Sequence, residues 1–488
     1  MEISPPWVVI LPPVIAIVLA IATRQVYLAL SAGIFAGCTI LAGWNPLHGL
    51  AGMVDAVVAV LGDADNARVV LFTLVIGALI ATIEASGGVR GFVRRLEQRK
   101  LVDTPRQAGV LVYLLGVAIF IESNITILVG GAVGRPLFDR FRLSRERLAY
   151  LLDSTSAPLC MLIPLNAWGA LVTRLLGQNG VEQPVSTLIS TIPLNFYCVA
   201  AVLLAGVSAV AVGFALGPMR RADRRTRSGE PLWPNAQPMV DPALLAPQSD
   251  APASNGEPSV VGTPRSAVPP RARNLVLPIL TMVVAMPTFL LITGRGDLRA
   301  GSGATSVLWS VLATLAVEWT SLLAQRAFTL DGLVRIGLRG AGGLVGLALI
   351  LMLALALSGI AKQLGTGRYI AEAVVQGGLT PTLFLPLVFV TAAVVAFCTG
   401  TSWGTFSLMM PMAVPAALAM GLPPAPFAAA VLSGGVFGDH ASPISDTTII
   451  ASMAAATDHV DHVRTQLPYA LLSAGAAVAG FAVLGAAL

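Results

Sequence analysis

Two stretches decide how this chain folds: Leu151-Leu-Asp-Ser-Thr-Ser-Ala-Pro158 and Phe437-Gly-Asp-His-Ala-Ser-Pro-Ile-Ser-Asp-Thr-Thr448. Each sets aspartate, several hydroxyls and a proline inside sequence that is otherwise apolar. Proline lacks an N–H and clashes with the carbonyl four residues back, so a helix is interrupted there. Pro158 is expected to free the carbonyl of Ser154, and Pro443 that of Asp439. Each stretch would then present a carboxylate beside unpaired carbonyl oxygens. Asp439, Ser442 and Asp446 also recur at spacings of three and four, which puts them on one helix face if the helix resumes after Pro443.

The surrounding composition says which solvent these interruptions sit in. Of 488 residues, 56% are hydrophobic and 11% charged, against about 25% charged in a soluble domain. Mean hydropathy is +0.80. The 48 glycines and 33 prolines would break soluble helices but are tolerated in membrane helices, where neighbours re-satisfy freed backbone groups. The chain is therefore expected to be an all-α polytopic membrane protein with lipid around it, not a soluble enzyme. The net charge of +5 does not indicate nucleic acid, because the basic residues gather in short loops between apolar runs, as positive charge does on the cytoplasmic side. Cys38, Cys160, Cys198 and Cys398 lie in apolar stretches without metal-type spacing and read as small buried hydrophobes. The chain begins Met1-Glu2-Ile3 without a basic segment, so its first apolar run reads as a retained span.

Spans need about 20 apolar residues. They are expected near 7–22, 26–43, 67–85, 106–121 and 185–216, and again near 274–293, 303–325, 342–361, 382–397 and 466–487. The stretches 122–176 and 398–456 are apolar but interrupted. Residues 217–273 are rich in Pro, Ala, Ser and Arg and predict a disordered cytoplasmic linker. It separates segments of nearly equal length, 1–216 and 274–488, which read as a first transmembrane repeat and a second, inverted one. Phe120 and Phe397 are 277 positions apart, Gly87 and Gly365 are 278 apart, and Pro193 and Pro468 are 275 apart. Arg90, Arg94, Arg95, Arg99 and Lys100 mark the inner side of the first repeat, with Asp55, Asp63 and Asp65 outside, whereas Arg326, Arg335 and Arg339 fall inside at the position matching that acidic loop. Inverted-topology repeats with discontinuous helices or re-entrant hairpins are the architecture of secondary transporters, in which two related halves alternate around one site.

Buried polar groups inside such spans cost about 2.5–3.5 kcal/mol for an aspartate at a helix centre, so they mark function. Phe120-Ile-Glu-Ser-Asn-Ile-Thr126 and Phe397-Cys-Thr-Gly-Thr-Ser-Trp-Gly-Thr405 supply hydroxyl, amide and carbonyl oxygens, the hard ligands a desolvated Na⁺ needs. Candidate ion- or substrate-binding side chains are Ser123, Asn124, Thr126, Ser154, Thr155, Thr399, Thr401, Ser402, Thr405, Ser442, Ser445 and Thr447. Asp153, Asp439 and Asp446 are the candidates for carrying a proton or a cation in turn, with Glu122 and His440 as relays. Asp153, Ser154, Asn124, Asp439 and Ser442 are the candidate Na⁺ ligands. Glu84, opposite Lys362 in the repeat, reads as an interfacial charge. Gly400-Thr-Ser402-Trp-Gly404 also matches the G-x-S-x-G elbow of serine hydrolases, with His440 as a base, but lacks the strand-turn-helix context. Asp458-His459-Val-Asp461-His462 reads as a solvated polar turn rather than a metal pair.

The stretch Phe437 to Ile450 resembles the signature of the NhaC-type Na⁺/H⁺ antiporter family, and Leu148 to Pro158, Gly400 to Thr405 and Leu467-Pro-Tyr-Ala470 fit other motifs of that family. The resemblance implies cation/proton exchange without an enzymatic cofactor, Na⁺ and H⁺ being the transported ions. It also implies a scaffold with a mobile transport domain, often dimeric, in a bacterial-type cytoplasmic membrane. Malate/lactate exchangers and amino-acid carriers belong to the same family, so a Na⁺- or H⁺-coupled carrier of a small organic anion or amino acid is the alternative.

Overall fold

The computed structural model describes residues 5–23, 25–88, 91–92, 94–95, 102–120, 123–164, 166–238, 270–297, 301–377 and 380–488. Apart from an isolated bridge between Pro238 and Asp458, its regular elements are helical. A 3-10 turn, Pro6–Ile10, leads into α1 (Leu11–Thr23), α2 (Val26–Leu41), α3 (Pro46–Gly62) and α4 (Ala64–Ala85). Then follow α5 (Pro105–Ala118), α6 (Ser123–Arg140), α7 (Arg145–Ser154), α8 (Ala157–Leu162), α9 (Ala167–Gln178), α10 (Pro184–Thr191) and α11 (Phe196–Val210). A polar helix, α12 (Pro218–Arg227), precedes the second half.

That half comprises α13 (Arg273–Thr293), α14 (Gly303–Ala324), α15 (Leu330–Gly343), α16 (Val345–Leu364), α17 (Thr366–Gln376), α18 (Pro381–Thr399), α19 (Ser402–Ala419), α20 (Pro424–Ala441), α21 (Asp446–Ala455) and α22 (His459–Ala486). Among the described residues, five helices are long and apolar enough to cross a membrane, or up to seven if each of two bent pairs, α10 with α11 (44°) and α15 with α16 (45°), is one span. The spans expected near 67–85, 274–293, 303–325, 382–397 and 466–487 fall on these five helices, and those near 185–216 and 342–361 on the bent pairs, whereas those near 7–22, 26–43 and 106–121 fall on helices shorter than a full crossing. The interrupted stretches, which gave no clear span, hold α6 to α9 and α19 to α21, and α3 lies where no span was expected.

In chain order each half carries a helical hairpin followed by a broken pair, α5–α6 then α7–α8 in the first and α18–α19 then α20–α21 in the second. The halves are also interleaved, because α2 and α3 pack on α16 while α14 and α15 pack on α4. The α4–α15 crossing is backbone on backbone: a Cβ on Gly77 would lie 2.5 Å from the Gly340 carbonyl oxygen, and one on Gly340 would lie 2.2 Å from that of Gly77.

The disordered linker expected over 217–273 is corrected at its start. Its arginines read as solvated charge, but α12 packs against α7 and α22. Arg225 forms a two-pronged ion pair with Glu146 (2.8 and 3.1 Å), and Asp223 accepts from Arg147 Nη2 (2.5 Å) and from the Ser144 hydroxyl (2.6 Å). Glu146 and Arg147 are buried, and two such charges stay out of water only when matched by partners. The chain then reaches the start of α22, where the Gln237 N–H donates to Asp458 (2.8 Å). Residues 239–269 lie outside the described residues.

Candidate functional site

Each broken helix meets the tip of the hairpin beside it, and the two encounters repeat. In the first half the Phe120 carbonyl accepts from Cys160 Sγ (3.1 Å) and Asn166 Nδ2 (3.2 Å). In the second the Phe397 carbonyl accepts from the Ser442 hydroxyl (2.7 Å). Asn166 also donates to the carbonyls of Cys160 and Ile163, sealing the end of α8. The turn α18–α19 runs through Gly400 in the left-handed region (φ 67°), and a Cβ there would stand 2.6 Å from the Ile444 carbonyl oxygen. Only glycine meets both conditions.

Asp439, near the end of α20, accepts at Oδ2 from the Ser402 N–H (3.0 Å) and from the Ser402 hydroxyl. It thereby caps α19, where the exposed amides and the helix dipole favour an anion. Asp153, in the last turn of α7, accepts at Oδ2 from Thr448 Oγ1 (3.0 Å) and Gln466 Nε2 (2.7 Å), both from the second half. His440 Nε2 is 3.9 Å from that oxygen and 3.2 Å from the Ser154 hydroxyl, while its Nδ1 lies 2.5 Å from the Tyr197 hydroxyl. Asp153 and Asp439 are both fully or almost fully buried, and among the described residues the remaining carboxylate oxygen of each, Oδ1, has no hydrogen-bond partner. Asp446 opens α21 with an exposed side chain, and its Oδ1 accepts from the Thr447 N–H (2.8 Å).

Two expectations about this region are corrected. The carbonyl of Asp439 is not free, because the Ser442 N–H donates to it (3.0 Å). Asp439, Ser442 and Asp446 do not share a helix face either: α20 ends at Ala441, Ser442 is extended, and α21 starts at Asp446. Among the described residues, the three aspartates do not converge as a metal-holding cluster.

The other candidates are distributed around these two nodes. Ser445 and Thr447 pair their hydroxyls at 3.1 Å in the break. Thr155, Thr399 and Thr405 donate to carbonyls one turn back in their own helices, those of Leu151, Val395 and Thr401, and Thr126 donates to the Ile119 carbonyl across the hairpin tip. Thr401 is the N-cap residue of α19 without a side-chain cap bond, and Ser123 is buried at the start of α6. Glu122 and the side chain of Asn124 lie outside the described residues. Thr448, Gln466, Tyr197 and Asn166 complete the site without having been expected. Thr448 stands in the quoted motif, and the others were visible only as polar groups within or beside apolar runs.

The hydrolase alternative loses its geometry, since the Ser402 hydroxyl is bound to Asp439 and His440 to Ser154 and Tyr197. The polar turn at 458–462 is also revised: His462 is fully buried and bonded to Gln466 (2.8 Å) and Ser452 (2.9 Å).

The family model of the Na⁺/H⁺ antiporter family matches residues 178–486, a segment that carries Asp439, Asp446 and the whole second broken helix. The chain belongs to the Na⁺/H⁺ antiporter family. An uncharacterized protein of Haemophilus influenzae is 33% identical over 503 residues, covering 98% of this chain and 90% of its own length. The Bacillus subtilis protein named malate-2H(+)/Na(+)-lactate antiporter is 37% identical over 87 residues, 18% of this chain and 19% of that protein. Among solved structures, the Alcanivorax borkumensis YdaH transporter superposes with a TM-score of 0.54 at 15% identity, over 89% of this chain and 88% of that one, a likeness of fold. This antiporter-family chain is thus a multi-pass membrane transporter and not an enzyme.

Proposed function

We propose that the protein exchanges Na⁺ for H⁺ by alternating access, with Asp153 and Asp439 as the groups that hold either ion. The observation that carries this reading is the pair of orphaned carboxylate oxygens, Asp153 Oδ1 and Asp439 Oδ1. A buried polar atom without a partner is expensive, and either a proton or a small hard cation would relieve it. Each carboxylate holds one or the other, which is the competition exchange requires. The hydroxyls of Ser402, Ser442 and Ser154 border the two aspartates and keep oxygen lone pairs free for a cation. Movement of the hairpin tips against the broken pairs α7–α8 and α20–α21 would open each aspartate to one side in turn.

A carrier of organic anions would want a fixed cation at the site. Among the described residues Arg145, Arg147, Arg174 and Arg225 are engaged elsewhere, with Asp139, Asp223, Asp63 and Glu146 respectively, and Arg135 is not free either, which favours inorganic ions. The cytoplasmic membrane of a bacterial-type cell and a homodimeric assembly belong to the same proposal. The test is purified protein in liposomes with an imposed pH gradient: added Na⁺ collapses the gradient, and labelled malate or arginine is not accumulated. Failure of Na⁺ to act while a labelled solute is taken up would overturn the reading.

A further inference from the structure

A chain of hydrogen bonds leads away from Asp153, and counting its protons leaves one short. Gln466 Nε2 donates to Asp153 (2.7 Å) and to the His440 carbonyl (2.6 Å), so both amide hydrogens are used and its Oε1 faces His462 Nε2 at 2.8 Å. An amide oxygen only accepts, hence His462 carries a hydrogen on Nε2. At the far end His459 Nε2 lies 2.6 Å from the Pro443 carbonyl, which also only accepts, so it too carries a hydrogen there. Both Nδ1 atoms then point at the hydroxyl of Ser452, at 2.9 Å from His462 and 3.0 Å from His459. With both rings neutral, two lone pairs compete for one hydroxyl hydrogen, and the Thr448 carbonyl at 2.8 Å competes as well. One extra proton resolves the conflict: the charged ring donates to Ser452, and Ser452 donates to the other ring.

We propose that His459, Ser452 and His462 form a proton-binding site that takes up a single proton from the face where α22 begins and thereby sets the pH response of transport at Asp153. The N–H bond forms at Nδ1 of one ring, and the proton comes from hydronium, leaving water. His459 is half-buried and is the port, whereas His462 is enclosed. The charged and titratable groups facing the cluster are Asp153 and Glu146 of α7, Arg225 of α12, His440 of α20, and Asp458, Asp461 and Arg464 beside it on the chain. Arg145 approaches from α7 but donates to the Ala456 carbonyl (3.1 Å) and to Asp139. A proton taken up puts positive charge one amide away from Asp153 and fixes Gln466 in the orientation that serves it. The site itself follows from proton counting alone; its effect on transport rests on the exchange reading of Asp153.

The experiment is nitrogen NMR of protein labelled at its four histidines, in lipid nanodiscs, between about pH 5 and pH 9, the range in which imidazoles change charge. His459→Asn and His462→Asn assign the signals. The wild type is expected to show both rings responding together at one midpoint, as coupled sites do, with one proton gained. Ser452→Ala is expected to separate the two responses and lower the midpoint by about one pH unit, while Ser452→Thr, which keeps the hydroxyl, behaves as the wild type. In liposomes Ser452→Ala is expected to move the pH profile of Na⁺-dependent exchange in the same direction without abolishing it. Two rings that stay neutral throughout, or that respond independently with or without Ser452, would overturn the site. Coupled proton uptake in a protein that shows no Na⁺/H⁺ exchange would leave the site standing and remove the transport reading instead.

Discussion

Asp153 and Asp439 each hold one carboxylate oxygen in a set of donors and, among the described residues, leave the other with none. This division defines what each residue does. The satisfied oxygen fixes the side chain, and under the proposed exchange the orphaned one is where an ion or proton would add. In Na⁺-free buffer at alkaline pH, where no proton or cation neutralises the carboxylate, Asp439→Asn is therefore expected to raise the melting temperature, since a desolvated charge is removed, while lowering exchange on the order of 100-fold, the loss of one interaction to a charged group. A melting temperature that falls, with exchange retained, would count against the assignment. The same logic makes Na⁺ itself a stabiliser: at about 100 times its dissociation constant a ligand bound only by the folded form adds about 2.7 kcal/mol. That thermal shift is expected in the wild type and reduced in Asp153→Asn, where Asp439 alone is left to hold the cation, by differential scanning fluorimetry. Both buried aspartates could be singled out in the sequence because a carboxylate within an apolar run is costly to bury. Gln466 and Thr448 were not, because they meet Asp153 across 313 and 295 positions, a pairing that only tertiary packing creates.

At the scale of elements, the hairpin turns and α12 show opposite limits of sequence reading. Gly400 announces its turn, and Gly400→Ala combines a left-handed residue with a contact to the Ile444 carbonyl. The substitution is expected to cost about 1–3 kcal/mol and to reduce the thermal stability of the α18–α19 tip, detectable as faster hydrogen exchange there. The helix α12 did the reverse: its composition reads as disorder, and it orders because Glu146 and Arg147 of α7 supply charges of opposite sign to Arg225 and Asp223. Removing one partner leaves the other buried alone, so Arg225→Ala is expected to destabilise by about 3–5 kcal/mol. The double variant Glu146→Leu with Arg225→Leu should recover most of that loss in a thermal melt. Equal destabilisation in both variants would mean that the ion pair is not what fastens α12.

At the scale of the molecule, the Phe120 and Phe397 carbonyls each accept a hydrogen bond from the broken helix beside them, one in each half of the chain. Elsewhere the halves are not separable bodies. Asp153 belongs to the first half, yet its donors come from the second, so the halves cannot be exchanged for two copies of either one. The near equality of segment lengths and the collinear matches suggested two related halves. They could not reveal which helix of one half would lie against which of the other, because apolar faces in lipid carry little identity and close approach is settled by a few small residues such as Gly77 and Gly340.

That interleaving bears on how the protein is made. Since α4 finds α15 and α16 finds α2 and α3 only across the centre of the chain, the first half leaves the ribosome and enters the bilayer with its packing faces unmatched, and it must wait there for the second. Folding is then a post-insertion event of the complete polypeptide. Two fragments cut between residues 239 and 269 and made in the same cell should assemble into working protein, whereas either fragment made alone should be degraded.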